Sequence, residues 1–123
     1  MRRAYLVLSV AIIVLGMVHI AATPRYFTGL TAQAVWFASG GLAIILTGVL
    51  NLLRRAYGAA APGLRVACVL TNAAMTVFAL LAGYAGNASA GEIALVLGVL
   101  GGTTACSLIP GAQNPVATAP RTA

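Results

Sequence analysis

Three observations predict an all-α fold, a transmembrane up-down-up-down bundle of four helices. Of the 123 residues, 61% are hydrophobic and 7% charged, where a soluble domain carries about a quarter charged residues. The apolar residues gather into four long stretches, separated by short segments marked by Gly, Pro or Arg. One of these, Ala34–Leu53 (AVWFASGGLAIILTGVLNLL), holds no charge over its whole length. As a helix it covers about 30 Å, the thickness of a bilayer's hydrocarbon core.

The first helix is expected over about 4–22, after Met1-Arg2-Arg3. A charged start, an apolar run and Ala21-Ala22 also match a secretory signal peptide. The run is longer than the ~7–15 residues of a signal's apolar region, and Ile20 breaks the small-residue cleavage pattern. A retained helix is therefore the leading reading. Pro24 is expected to stop this helix, and Arg25, Tyr26 and Phe27 to lie at the membrane–water interface.

The second helix, 34–53, carries Trp36 and Phe37 at one end and Arg54-Arg55 at the other. Aromatic rings and arginines mark the two interfaces. RRAYGAAAPG follows as a polar loop, with Pro62-Gly63 as the breaker. The third helix spans about 64–86. A tight turn leads to the fourth, about 92–109, where Glu92 sits near the positive end of the helix dipole. Pro110 is expected to end it, and 111–123 to form a disordered cytoplasmic tail.

The net charge is +6, and every basic residue is arginine. These arginines flank helices and form no basic patch, so orientation in a membrane accounts for them better than nucleic-acid binding. Arg2, Arg3, Arg54, Arg55, Arg65 and Arg121 fall on one side of the predicted topology, against Arg25 alone on the other. That asymmetry places both termini in the cytoplasm. The lack of lysine beside abundant Ala, Gly, Val and Leu points to a GC-rich bacterial genome, hence to a bacterial inner membrane.

Membrane helices associate through small residues and a few hydrogen bonds, because lipid tails are as apolar as leucine. Each helix shows one such stripe: Ser9, Gly16, His19 and Thr23; Trp36, Gly40, Ala43, Thr47 and Asn51; Cys68, Asn72, Thr76, Ala79, Gly83 and Gly86; Ala90, Ala94, Gly98, Gly102 and Cys106. Gly16, Gly40, Gly83, Gly98 and Gly102 are the expected packing positions, Gly98-x-x-x-Gly102 being a GxxxG motif.

His19, Trp36, Thr47, Asn51 and Asn72 are the candidate ligand or pore residues. Thr47 and Asn72 fall at one depth, and Asn51 and Cys68, with Cys106 close to them, at another nearer the cytoplasm, so the inner half of the bundle is expected to hold a polar cluster. The leading role for it is interhelical hydrogen bonding, and the alternative is a path for a polar solute. His19 is an ionisable residue inside an apolar segment and so a functional candidate, expected to bond a neighbouring helix with Trp36 or Tyr26 in reach. Cys68 and Cys106 show no CxxC or Cys/His spacing, and no metal or cofactor motif is present.

The size and helix count are similar to the small multidrug-resistance exporters, but the acidic residue that family carries in its first helix is absent. GMVHIAATPRYF and VWFASGGLAIILTGVLNLL resemble small four-helix bacterial membrane proteins of unknown function, DoxX-like in general shape. The likeness covers the first two helices, rests on His19, Pro24, Trp36, Gly40-Gly41 and Asn51, and implies no catalytic residue. The expectation is a non-enzymatic structural or accessory membrane component. It would act in the lipid bilayer, as a homo-oligomer or within a larger membrane complex. The alternatives are a homo-oligomeric small-molecule transporter or channel, and a redox-associated membrane protein.

Overall fold

The computed structural model describes residues 2–58 and 60–109. Four helices follow one another: α1 Arg2–Tyr26, α2 Ala32–Tyr57, α3 Pro62–Ala85 and α4 Ala90–Leu108. Each is long and apolar enough to cross a membrane. The expected tail at 111–123 lies outside the described residues.

Local chemistry sets the boundaries. The sequence reading stops α1 at Pro24, yet the helix runs on to Tyr26. Proline's fixed φ is itself helical, and Phe27 N–H still reaches the Thr23 carbonyl at 3.0 Å. Gly29, at φ 94°, makes the turn that a side chain would strain. Thr31 then caps α2, its hydroxyl accepting from Ala34 N–H at 3.2 Å. Pro62-Gly63 predicts a breaker, but Pro62 starts α3, where its missing N–H costs nothing. Asn87, at φ 53°, turns the chain out of α3. Ser89 and Glu92 form a capping box on α4. α4 ends at Leu108, and Ile109 is extended as a residue before proline must be.

Cross-helix contacts fix the topology. Tyr5 near the start of α1 meets Asn51 near the end of α2, and Asn51 meets Asn72 in the first half of α3. Gly102 of α4 faces Leu8 of α1. All four neighbours therefore run antiparallel, closing an up-down-up-down ring.

α1 and α2 form the most intimate pair. A Cβ on Gly16 would stand 2.6 Å from the Gly41 carbonyl oxygen, and one on Gly48 would stand 2.9 Å from that of Ser9. Backbones can approach so closely only where no side chain intervenes. The sequence reading found Gly16 but missed Gly41 and Gly48. Gly40 faces His19, Gly83 faces Ala88 and Ile93, and Gly98 faces open space.

The expected inward stripe of α4 is wrong in part. Ala90, Ala94 and Gly98 are exposed, while Leu100, Thr103 and Ser107 are buried. A π-turn at Leu97–Gly101 accompanies this arrangement. Ala90 and Ala94 precede it, so the wrong face is already chosen before the π-turn; the inward stripe is Ile93, Val96, Leu100, Thr103 and Ser107, half-buried or buried at spacings of three and four.

Polarity is inside-out. Ser9, Thr47, Asn51, Arg54, Asn72, Thr103 and Ser107 are buried, while Val7, Leu70, Phe78 and Leu81 are exposed. Water would penalise such an exterior; hydrocarbon would not.

Candidate functional site

The polar residues converge at the end of the bundle where α1 and α3 begin and α2 ends. Thr47, Asn51 and Arg54 lie on one face of α2 at spacings of four and three, and all are buried. Asn51 is the hub. Its amide N–H groups donate to the Thr47 carbonyl at 2.8 Å and to Asn72 Oδ1 at 2.7 Å. Its Oδ1 accepts from Asn72 Nδ2 at 2.9 Å, Tyr5 Oη at 2.6 Å and Cys68 Sγ at 3.0 Å. Asn51 is thereby satisfied through three helices, as a buried amide in a low-dielectric interior requires.

Two further bonds extend the cluster. Ser9 Oγ donates to the Tyr5 carbonyl at 2.7 Å, and Thr76 Oγ1 to the Asn72 carbonyl at 2.8 Å. Thr76 also lies 3.4 Å from Thr104 of α4, hydroxyl to hydroxyl. The expected association of Thr47, Asn51, Cys68 and Asn72 is thus present. Cys68 and Cys106 are free thiols, the first buried and the second half-buried.

Arg54 stands apart chemically. Its place at a helix end predicts an interfacial flank, yet its side chain is 0% exposed. Nη1 donates to Tyr5 Oη at 3.3 Å, and the guanidinium carbon lies 5.6 Å from the Tyr5 ring centroid. Nε and Nη2 are buried and have no hydrogen-bond partner. A buried cation costs several kcal/mol. The Tyr5 ring returns about 0.5–2 kcal/mol and the negative end of α2 about 0.3–1 kcal/mol, so compensation is incomplete. The chain's one acidic side chain, Glu92, lies at the opposite end of the bundle, bound to Ser89.

Tyr5 and Arg54 are the members that sequence reasoning missed. Each continues a stripe already found: Tyr5 precedes Ser9 by four residues, and Arg54 follows Asn51 by three. Their residue types masked them, since a tyrosine or arginine near a helix end ordinarily reads as an interfacial anchor.

Two other candidates lie outside this cluster. His19 is half-buried at the far end of α1. Its ring stacks on Phe37 at 4.0 Å between centroids, and Nε2 lies 3.2 Å from the Phe37 carbonyl oxygen. The neighbouring-helix bond is present, with Phe37 in place of Trp36 or Tyr26. Trp36 was placed on the inward stripe but is 78% exposed. Two residues after buried Ala34, it turns onto the outer face of α2, as an interfacial ring does.

A cleft of about 640 Å³ opens beside His19's end of the bundle, lined by Ile20, Thr23, Phe27, Leu30, Ala38 and Leu42 among others. Its walls are almost wholly apolar. It does not touch the Asn51 cluster. Among the described residues, no three His, Cys, Asp or Glu gather where a metal ion could be held.

Comparison with protein-family models, with curated proteins and with solved structures finds no match to this chain.

Proposed function

We propose that this chain is a multi-pass protein of the bacterial inner membrane, with both termini cytoplasmic, and that it serves as a non-catalytic structural or accessory component there. Four helices long and apolar enough to span a bilayer support the membrane assignment. The arginine asymmetry supports the orientation. A DoxX-like general shape is part of the same proposal.

The observation that carries the accessory reading is the reciprocal bonding of Asn51 and Asn72. Amides that consume each other's donors and acceptors tie helices together and leave little to offer a passing solute. The exposed face of α3, with Leu70, Val77, Phe78 and Leu81, is then available to lipid or to a partner helix.

The test joins flux to cross-linking. Vesicles containing the purified protein should release trapped potassium and carboxyfluorescein no faster than empty vesicles. A photo-cross-linker replacing Phe78 should give a defined protein adduct in native membranes. Flux that falls on Asn72→Ala while the helical signal survives would instead establish the transporter.

A further inference from the structure

We propose that the Nε–Nη2 edge of Arg54 binds a phosphate oxyanion supplied from outside the chain. An arginine presents its donors as a rigid fork, and the Nε–H and Nη2–H bonds of one edge run parallel. That spacing matches two oxygens of a phosphate group. In this protein it is that edge, and not a scattered pair of nitrogens, that is buried without a partner. The third nitrogen, Nη1, is held by Tyr5 Oη at 3.3 Å, which with the ring 5.6 Å away fixes the guanidinium in place.

The charge around the fork has one sign. Arg2, Arg3, Arg55 and Arg65 belong to the same end of the bundle, at the starts of α1 and α3 and in the last turn of α2. Arg55 Nε is also buried without a partner. Glu92, the only Asp or Glu in the sequence, is at the far end and engaged by Ser89. No carboxylate side chain of this chain can therefore fill the fork.

Arg54 lies in the last turn of a helix long enough to span a bilayer, the depth at which headgroup phosphates begin. The phosphate can come from an anionic lipid headgroup or from free phosphate in the cytoplasm. Both nitrogens are shielded, so the oxyanion displaces part of what covers them and meets a desolvated edge, where charge-assisted bonds are strongest. The inference does not rest on the accessory reading, since a bound phosphate is compatible with or without flux.

The experiment measures thermal stability of the full chain in phosphatidylcholine nanodiscs. One arm adds phosphatidylglycerol. The other adds inorganic phosphate against chloride at equal ionic strength. Stabilisation by the lipid alone assigns the headgroup, and stabilisation by phosphate assigns the free ion; either supports the site. Arg54→Lys keeps the charge but loses the fork, and should weaken the effect about tenfold, the factor of one charge-assisted bond. Arg3→Gln, exposed at the same end, should leave it unchanged. No stabilisation in either arm, or equal loss in the two variants, overturns the proposal. Should Arg54→Lys not fold, side-chain Nε–H NMR of the ¹⁵N-arginine wild type decides, with Arg55→Lys identifying the second shielded signal. The remaining shielded signal shifts on addition of lipid or phosphate if the fork binds, and an unmoved signal overturns it.

Discussion

Asn51 on α2 and Asn72 on α3 exchange two side-chain hydrogen bonds, 2.7 and 2.9 Å long, across the interior of the bundle. Asn51 has further partners in Thr47, Tyr5 and Cys68, but the exchange with Asn72 is what joins the two amides directly across α2 and α3. Replacing Asn72 by Ala strips Asn51 of one donor and one acceptor and should cost about 1–3 kcal/mol. Thermal or denaturant unfolding in micelles checks this. Asn72→Asp is a further variant: its carboxylate accepts but cannot donate to Asn51 Oδ1, so it should destabilise when ionised, whereas the protonated acid can restore the bond.

Tyr5→Phe removes one of three donors to Asn51 Oδ1 and leaves Arg54 Nη1 without its acceptor. The ring and its contact with the guanidinium remain. The expected loss is about 1–2 kcal/mol, less than for Asn51→Ala, which deprives Tyr5, Cys68 and Asn72 together. The two variants compared in one unfolding assay check the order.

The glycines divide sharply. Gly16→Ala and Gly48→Ala would drive a methyl to 2.6 Å from the Gly41 carbonyl oxygen and from Ile13 Cγ1, with Ser9's carbonyl 2.9 Å from the latter methyl. Overpacking against backbone should cost about 1–3 kcal/mol. Gly98→Ala meets open space within the monomer and, in a helix, should be neutral or stabilise by up to about 1 kcal/mol. Loss of a dimer in Gly98→Ala, read by native mass spectrometry, would show instead that this face packs against a second copy.

A fluorescent reporter that matures only in the cytoplasm, fused to the C-terminus, should be active. A phosphatase that works only outside the cytoplasm should be silent there and active when inserted after Asn87. The opposite pattern would invert the assigned orientation.

Much of this was legible before the structure. Lipid removes the hydrophobic drive for helices to associate, so stripes of Ser, Thr, Asn and Gly stand out against leucine and valine, and they led to Thr47, Asn51 and Asn72. What escaped had two physical causes. Arg54 and Tyr5 belong to residue types whose usual place at a helix end is the interface, and only the contacts of neighbouring helices reveal them as buried. In α4 the small residues and the buried ones lie on different faces, so a stripe chosen by small size places Ala94 and Gly98 inside where Leu100 and Thr103 belong. Trp36 failed in the opposite sense: its spacing fits the inward stripe, but its size and amphipathic ring suit the outer surface.

The most direct test of the account is a double-mutant cycle on Asn51 and Asn72, with unfolding measured in lipid bilayers. The account predicts that Asn51→Ala and Asn72→Ala are each destabilising and that the second costs less once the first is present, with a coupling of about 0.6–2 kcal/mol. Strictly additive losses would show that the two amides do not hold α2 to α3, and would contradict a bundle organised around a closed polar interior.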